Sequence, residues 1–302
     1  MNNLSNIALG TWLFGGLRWG HVDPDTSYRT MCEAIERGIK YFDTSDAYGK
    51  GYSEELIGRL PKSLKQKIKV MTKSGVVWDA DGTRHVNINK DYVLGALTNS
   101  LNRLDIDQIE VYYLHEDDES KTVDEISNTL EKVLETGNVR YLGLSNFSEK
   151  RVAEISSRVP IYSVQNECNP LEIRETVNTI KAIKRKGMQF HGYGLLSKGL
   201  LSGKLFGKEE FQTGDNRAEN KEFLGDRFVQ NIVKVDKLKE SVRHTGIPLA
   251  PLVIYWAIKY CEVDLAIIGC RNVSQLNEVL DYVNNIHNLD VFEILTDSFY
   301  NW

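Results

Sequence analysis

Short apolar runs rich in β-branched residues alternate with longer amphipathic segments along this whole chain, and few architectures accommodate that rhythm. The strand candidates are residues 7–10, 39–43, 68–72, 109–115, 139–144, 161–165, 188–193 and 264–268. Helix-like segments lie between them, at 26–37, 53–60, 90–104, 123–136, 149–158, 174–186, 233–245 with 249–259, and 274–284. Within 90–104, Val93, Leu94, Leu97, Leu101 and Leu104 recur at the spacing of one helix face. Gly38, Gly137, Gly187 and Gly246 each stand where a helix should stop. Eight strand–helix units predict an α/β protein closed into a (β/α)8 TIM barrel, with residues 1–302 as a single domain. An open doubly wound sheet is the alternative for the same pattern. The length of 302 residues suits the barrel, which spans about 200 to more than 400 residues in different proteins.

One stretch, 196–226, lacks the rhythm. Loops of this length inside a compact domain are usually lids or binding loops, and its glycines, lysines and arginines predict a clamp for a phosphorylated ligand. Two familiar phosphate motifs are absent. No GxGxxG follows a strand, and GLLSGK at 199–204 has three residues between its glycines rather than four, with Leu205 where a P-loop carries Ser or Thr.

A formal net charge of −5 argues against nucleic acid or an acidic membrane surface as the main partner. The opening MNNLSNIALG has neither a basic region nor a long apolar core, so no signal peptide is expected. No apolar run approaches the ~20 residues of a membrane span, and a cytoplasmic protein is expected. Cys32, Cys168, Cys261 and Cys270 are scattered without metal-ligand spacing and read as reduced thiols. His21, His85, His191, His244 and His287 are isolated and read as structural; no metal site is expected.

The chemistry concentrates on a few strand ends. The stretch IKYFDTSDAYG, 39–49, reads as a buried strand ending at Asp43 and running into a loop that carries Tyr48. Val70-Met71-Thr72 leads into Lys73, and Val111-Tyr112-Tyr113-Leu114 leads into His115. If the strands lie parallel in one barrel, these groups gather at the face where barrel enzymes keep their active sites. A free tyrosine titrates near pH 10, too high for work near neutrality. Lys73 beside Tyr48 would favour the phenolate and lower that value. Asp43 would hold Lys73, and His115 would orient a carbonyl oxygen. The alternative is an ordinary buried Asp43–Lys73 ion pair with Tyr48 as a loop aromatic.

These residues carry a family likeness. GIKYFDTSDAYGKGYSEELIG resembles the signature of aldo-keto reductases, with Asp and Tyr five apart after the second barrel strand. VMTKSG is similar to that family's third-strand lysine motif, and VYYLHEDD to its fourth-strand histidine motif. The likeness extends from Ala8-Leu9-Gly10-Thr11-Trp12 to Gln275-Leu276-Asn277-Glu278. It implies NADP-dependent carbonyl reduction with Tyr48 as general acid/base, Lys73 and Asp43 tuning it, and His115 positioning the substrate.

The resemblance also implies a cofactor site for NADP(H). Thr11, Trp12 and Asp43 belong to it. Ser145 and Asn146 in GLSNF, with Gln165 in VQN, would read the nicotinamide carboxamide. Tyr193 would stack on the nicotinamide, and Gly194, Leu195, Leu196, Ser197 and Gly199 would offer backbone to the pyrophosphate. Many members carry Ser-Pro where this chain has Gly194-Leu195. Lys204 and Arg217 match basic positions of the clamp. Gly269, Arg271, Gln275 and Glu278 would hold the adenosine end, with Arg271 on the 2′-phosphate. Val279 departs from the family, where many members have Asn.

Substrate-facing candidates are Trp12, Trp19, Tyr48, Trp78, His115 and Glu116. Glu116-Asp117-Asp118 reads either as a solvated acidic loop or as acceptors for sugar or polyol hydroxyls. The chain beyond Asn288 is short, so the long C-terminal selectivity loop of some members is expected to be missing. The small-molecule partner is expected to be a carbonyl or alcohol, and the protein a monomer. A cofactor-binding regulatory subunit resembling the potassium-channel β subunits is the alternative; those carry Asn where this chain keeps His115.

Overall fold

A strand buried from end to end needs cover on both faces, and that is what a parallel sheet wrapped in helices supplies. The first strand, β1 (Ile7–Gly10), is buried at all four positions. The computed structural model of the chain describes residues 3–16, 19–20, 23–79, 81–286 and 291–302. Seven more parallel strands follow: β2 (Tyr41–Asp43), β3 (Lys69–Ser74), β4 (Ile109–Leu114), β5 (Val139–Ser145), β6 (Ile161–Glu167), β7 (Gln189–Tyr193) and β8 (Leu265–Gly269). Each strand pairs with its neighbours in sequence, and β1 pairs with β8 through Ile7↔Ala266 to Gly10↔Gly269. That last pairing closes the barrel and rules out the open doubly wound sheet.

The helices cover the outside. Apart from a single turn at Lys62–Lys65, they are α1 (Pro24–Glu36), α2 (Tyr52–Gly58), α3 (Lys90–Leu104), α4 (Val123–Glu135), α5 (Glu149–Ser156), α6 (Ile173–Arg185), α7 (Gly225–Val242), α8 (Leu249–Lys259), α9 (Val273–Val283) and α10 (Val291–Tyr300). Their starts are chemically marked. Asp23 accepts from Thr26 N at 2.8 Å ahead of Pro24, and Thr122 with Glu125 forms a capping box. Gly38, Gly137, Gly187 and Gly246 all adopt positive φ, as helix-terminating glycines do.

Two cores result. The larger lies between sheet and helices. The smaller fills the barrel with Ala8, Met71, Val111, Tyr113, Leu265 and Ile267, against which Tyr41, Tyr141, Tyr162 and Tyr193 pack.

Three features depart from the expected pattern. An antiparallel hairpin, Val76–Trp78 with Arg84–Val86, stands on the loop after β3. The residues beyond the expected selectivity-loop boundary form α10 (Val291–Tyr300). The stretch 196–226 is not wholly irregular: it contains 3-10 turns at Ser197–Ser202 and Lys221–Phe223. Among the described residues there is no His/Cys/Asp/Glu group suited to a metal, and no helix is long and apolar enough to cross a membrane. The four cysteines are free. His85 pairs with Asp79 at 3.1 Å, while His21 and His287 lie outside the described residues.

Candidate active site

The alternation of a strand decides which way Lys73 points. Met71 faces the barrel interior, so Lys73, two residues on, faces the same side. The parallel register carries β2 past it, where Asp43 ends the neighbouring strand. Lys73 Nζ donates to Asp43 Oδ1 at 2.9 Å, to Asp43 Oδ2 at 2.8 Å and to Thr44 O at 2.8 Å. Those bonds satisfy an ammonium only 1% exposed, beside a carboxylate 3% exposed, which is the condition for burying such a pair. Tyr48 OH lies 3.3 Å from the same nitrogen. The His115 ring meets the Tyr48 ring edge-on at 5.8 Å, and its Nδ1 lies 3.0 Å from Ser45 Oγ. The four groups singled out in the sequence therefore converge.

Trp12 stacks on Tyr48 at 5.9 Å between centroids, and Trp19 meets Trp12 edge-on at 5.3 Å. The two loops that carry Trp12 and Tyr48 touch backbone to backbone. A Cβ at Gly49 would stand 2.5 Å from Gly15 O, so glycine is required for this approach.

Burial sets the protonation states. Tyr48 is pushed well above the ordinary phenol value, first by burial and then by the Asp43 and Asp46 charges. The expectation that Lys73 brings the phenol down is corrected here. Desolvation of a largely enclosed phenolate outweighs one ammonium whose charge Asp43 already balances. A raised value keeps Tyr48 protonated, as a proton donor must be. His115 is pushed well below the usual histidine value by burial, then by Lys73 and by Arg84, so its ring is neutral. Lys73 is lowered by burial, which its carboxylate neighbours oppose. Asp46 is raised to about 7 by burial and by Glu54.

A second group adjoins the first. Asn146 adopts a left-handed φ of 60°, and its Nδ2 donates to His115 O at 2.9 Å and to Ser145 Oγ at 3.2 Å. Tyr193 OH donates to Asn146 Oδ1 at 2.7 Å. Gln165 Nε2 donates to Asp43 Oδ1 at 2.8 Å, tying this group to the buried ion pair.

The sequence profile of the Aldo/keto reductase family matches residues 6–296. This chain belongs to that family. The chain is 30% identical over 276 residues to the aldo-keto reductase YhdN of Bacillus subtilis, covering 90% of this chain and 83% of the relative. It is 30% identical to the aldo-keto reductase yakc [NADP(+)] of Schizosaccharomyces pombe over 86% of this chain and 78% of that protein. Among solved structures, the glycerol dehydrogenase AKR11B4 from Gluconobacter oxydans superposes with a TM-score of 0.86 at 27% identity, covering 97% of this chain and 90% of that one. The protein is an aldo/keto reductase, an oxidoreductase of carbonyl compounds.

Around these four converging groups, several expected site residues have structural partners. Thr11 is fully buried and donates to Asp43 O at 2.9 Å, so its side chain braces Asp43. Glu116 pairs with Arg84 on the hairpin, Asp117 with Arg151 at 2.9 Å, and Asp118 accepts from Ser120 Oγ at 2.6 Å. The acidic run is thus not an open set of hydroxyl acceptors: its carboxylates organise the loop after β4. Trp78 ends the first hairpin strand, partly exposed. Lys204 pairs with Glu278, and Arg217 with Asp215 at 2.7 Å. Arg271 Nη2 donates to Trp19 O at 2.6 Å and its backbone N to Gln275 Oε1 at 2.9 Å. Gly194 has φ 75°, Leu195 is buried, and Leu196 leads into the 3-10 turn. Gly269 approaches Leu13, whose Cδ1 a Cβ would meet at 3.2 Å.

Sequence reasoning missed Ser45, Asp46, Asn166 and Arg84. Asn166 Oδ1 accepts from Asn146 N at 2.8 Å and stabilises its left-handed turn. Ser45 and Asp46 sit inside the quoted signature, so position alone could have flagged them. Nothing in the sequence couples Arg84 to Glu116.

Proposed function

We propose that this aldo/keto reductase reduces an aldehyde or ketone with NADPH, and that Tyr48 delivers the proton. The observation that carries the reading is the Tyr48 hydroxyl at 3.3 Å from a lysine locked on Asp43, edge-on to a neutral His115. NADPH, when bound, supplies a hydride for the carbonyl carbon. Tyr48 then donates its proton to the oxygen as that atom gains charge. The Lys73 ammonium, fixed by three hydrogen bonds, stabilises the phenolate left behind. His115, neutral, is able to direct a ring N–H at the same oxygen.

The chain's own geometry fits a dinucleotide. Ser197, Lys198 and Gly199 take successive left-handed φ values of 47°, 55° and 95°, which strains the turn at the two residues that are not glycine, and Ser197 N and Gly199 N donate within it to Gly194 O at 2.8 Å and Leu196 O at 2.9 Å. Burial lowers the pKa of Arg271, the nearby Arg217 lowers it further, and Asp215 opposes the shift. A 2′-phosphate would set negative charge beside these two guanidiniums, and a relative carries NADP(+) in its name. Ser145, Asn146, Gln165 and Tyr193 would hold the nicotinamide, Lys204 the pyrophosphate side, and the 196–226 stretch the clamp over it. Trp12, Trp19 and Trp78 would wall the substrate.

Titrating the purified protein with NADPH and NADH while following tryptophan emission tests this. Tight binding selective for NADPH, with turnover of simple aldehydes, is expected. Failure to bind either nucleotide overturns the reading.

A further inference from the structure

Ser45 stands in the turn between Asp43 and Tyr48 and is fully buried. Its Oγ accepts from Ala47 N at 3.1 Å, a hydroxyl turn that fixes the side chain. Three groups able to accept surround its single hydroxyl hydrogen: His115 Nδ1 at 3.0 Å, Lys73 O at 3.3 Å and Asp46 Oδ1 at 3.3 Å. His115 is held at both ends of its own backbone. Its N donates to Ser74 O at 2.8 Å, and its O accepts from Asn146 Nδ2 at 2.9 Å. The two ring nitrogens therefore meet different surroundings. Nδ1 faces Ser45, and Nε2 has no hydrogen-bond partner among the described residues.

A neutral imidazole carries one N–H, so the bond made at one nitrogen decides what the other can do. Burial keeps the His115 ring neutral. If Ser45 donates to Nδ1, the proton sits on Nε2; if His115 donates to Ser45, Nε2 is bare. The contacts favour the first arrangement. Nδ1 is the nearest of the three acceptors, and Lys73 O already accepts from Asp46 N at 3.2 Å. Asp46, raised to about 7 by burial and by Glu54, holds its proton in mild acid and competes weakly there. The chemistry favours it as well. A carbonyl oxygen offers only lone pairs, so a bare Nε2 would repel it and an N–H would bind it.

We propose that Ser45 is a positioning residue: its hydroxyl donates to His115 Nδ1 and thereby keeps the proton on Nε2 for the substrate oxygen. The inference rests on the carbonyl reduction given under Proposed function. It adds the group that decides which nitrogen of His115 carries hydrogen.

The tautomer is read first, in the whole chain without nucleotide, by nitrogen NMR of protein carrying isotope-labelled histidine in mild acid. The His115 signals are assigned by their loss in His115→Asn. Nε2 should be protonated, and Nδ1 should be bare and hydrogen-bonded. In Ser45→Ala, with folding checked by circular dichroism, the Nδ1 signal should move to that of a nitrogen without a donor, and the share of Nε2–H should fall. Aldehyde turnover by Ser45→Ala should drop by about tenfold, the worth of one hydrogen bond, while NADPH affinity stays within about twofold. Ser45→Thr keeps the hydroxyl and should restore both the signals and the rate. A wild type with its proton on Nδ1 overturns the inference, whatever the variants do. So does a folded Ser45→Ala whose His115 signals are unchanged, or one that turns over as fast as the wild type. A wild type that neither binds NADPH nor reduces aldehydes overturns the functional reading, and the role given to Ser45 falls with it.

Discussion

Lys73 and Asp43 share one buried cell: both carboxylate oxygens lie within 2.9 Å of the ammonium, and Gln165 closes the far side of Oδ1 at 2.8 Å. The pair is held by three strands, β2, β3 and β6, so charge balance in the site is a property of the barrel. Each partner makes the burial of the other tolerable.

Removing one partner therefore strands the other. Lys73→Met should destabilise the protein by about 3–5 kcal/mol, because Asp43 keeps a buried charge without its counter-ion. Adding Asp43→Leu should recover part of that loss. Denaturant unfolding of the two single variants and the double measures it, and losses that simply add would remove the coupling.

Tyr48→Phe deletes the proposed proton donor and one long contact to Lys73. Turnover should fall by about 10²–10⁴-fold, with NADPH binding unchanged. A variant that keeps most of its activity would show that another group donates the proton.

Asp46 links stability to pH. Its folded value of about 7 lies above that of an unfolded aspartate, so the folded state holds a proton that the unfolded chain has released. Asp46 thus adds stability that is complete below pH ~4 and is lost as the pH rises toward neutrality. Asp46→Asn cannot ionise. It should be more stable than the wild type by about 2–4 kcal/mol at alkaline pH and should show little difference in acid. Its Tyr48 should also titrate lower, since the Asp46 charge raises that phenol. Unfolding curves at two pH values decide it: an equal gap at both excludes ionisation of Asp46 as the cause.

Arg271→Ala should weaken NADPH by about 10–100-fold, the worth of a charge-assisted contact, and leave NADH nearly unaffected. Arg217, tied to Asp215 in the same cluster, should contribute less when replaced. Equal losses for both nucleotides would place Arg271 away from the 2′-phosphate.

The strands and the four reactive groups were legible because each depends on local pattern. Observed strand ends fall within two residues of the expected ones, as at Tyr41–Asp43 against 39–43. Asp43, Lys73 and His115 stand at or beside strand ends, and parallel strands bring such ends to one face. The hairpin at Val76–Trp78 was not legible, because its strands are three residues each and carry no alternation long enough to read. The protonation of Tyr48 was read with the wrong sign. Sequence shows that a lysine stands near, but the cost of desolvation depends on what encloses the ring.

By itself the sequence determined the order of the elements, their number as eight strand–helix units, and which side chains stand at strand ends, because period and spacing are properties of the chain. Tertiary structure alone decided which polar groups satisfy one another. Arg84 finding Glu116, Gln165 finding Asp43, and Tyr113 finding His191 are contacts between residues 32, 122 and 78 positions apart. No local pattern encodes such pairings. They form because buried polar groups must find partners wherever the closed barrel brings them together.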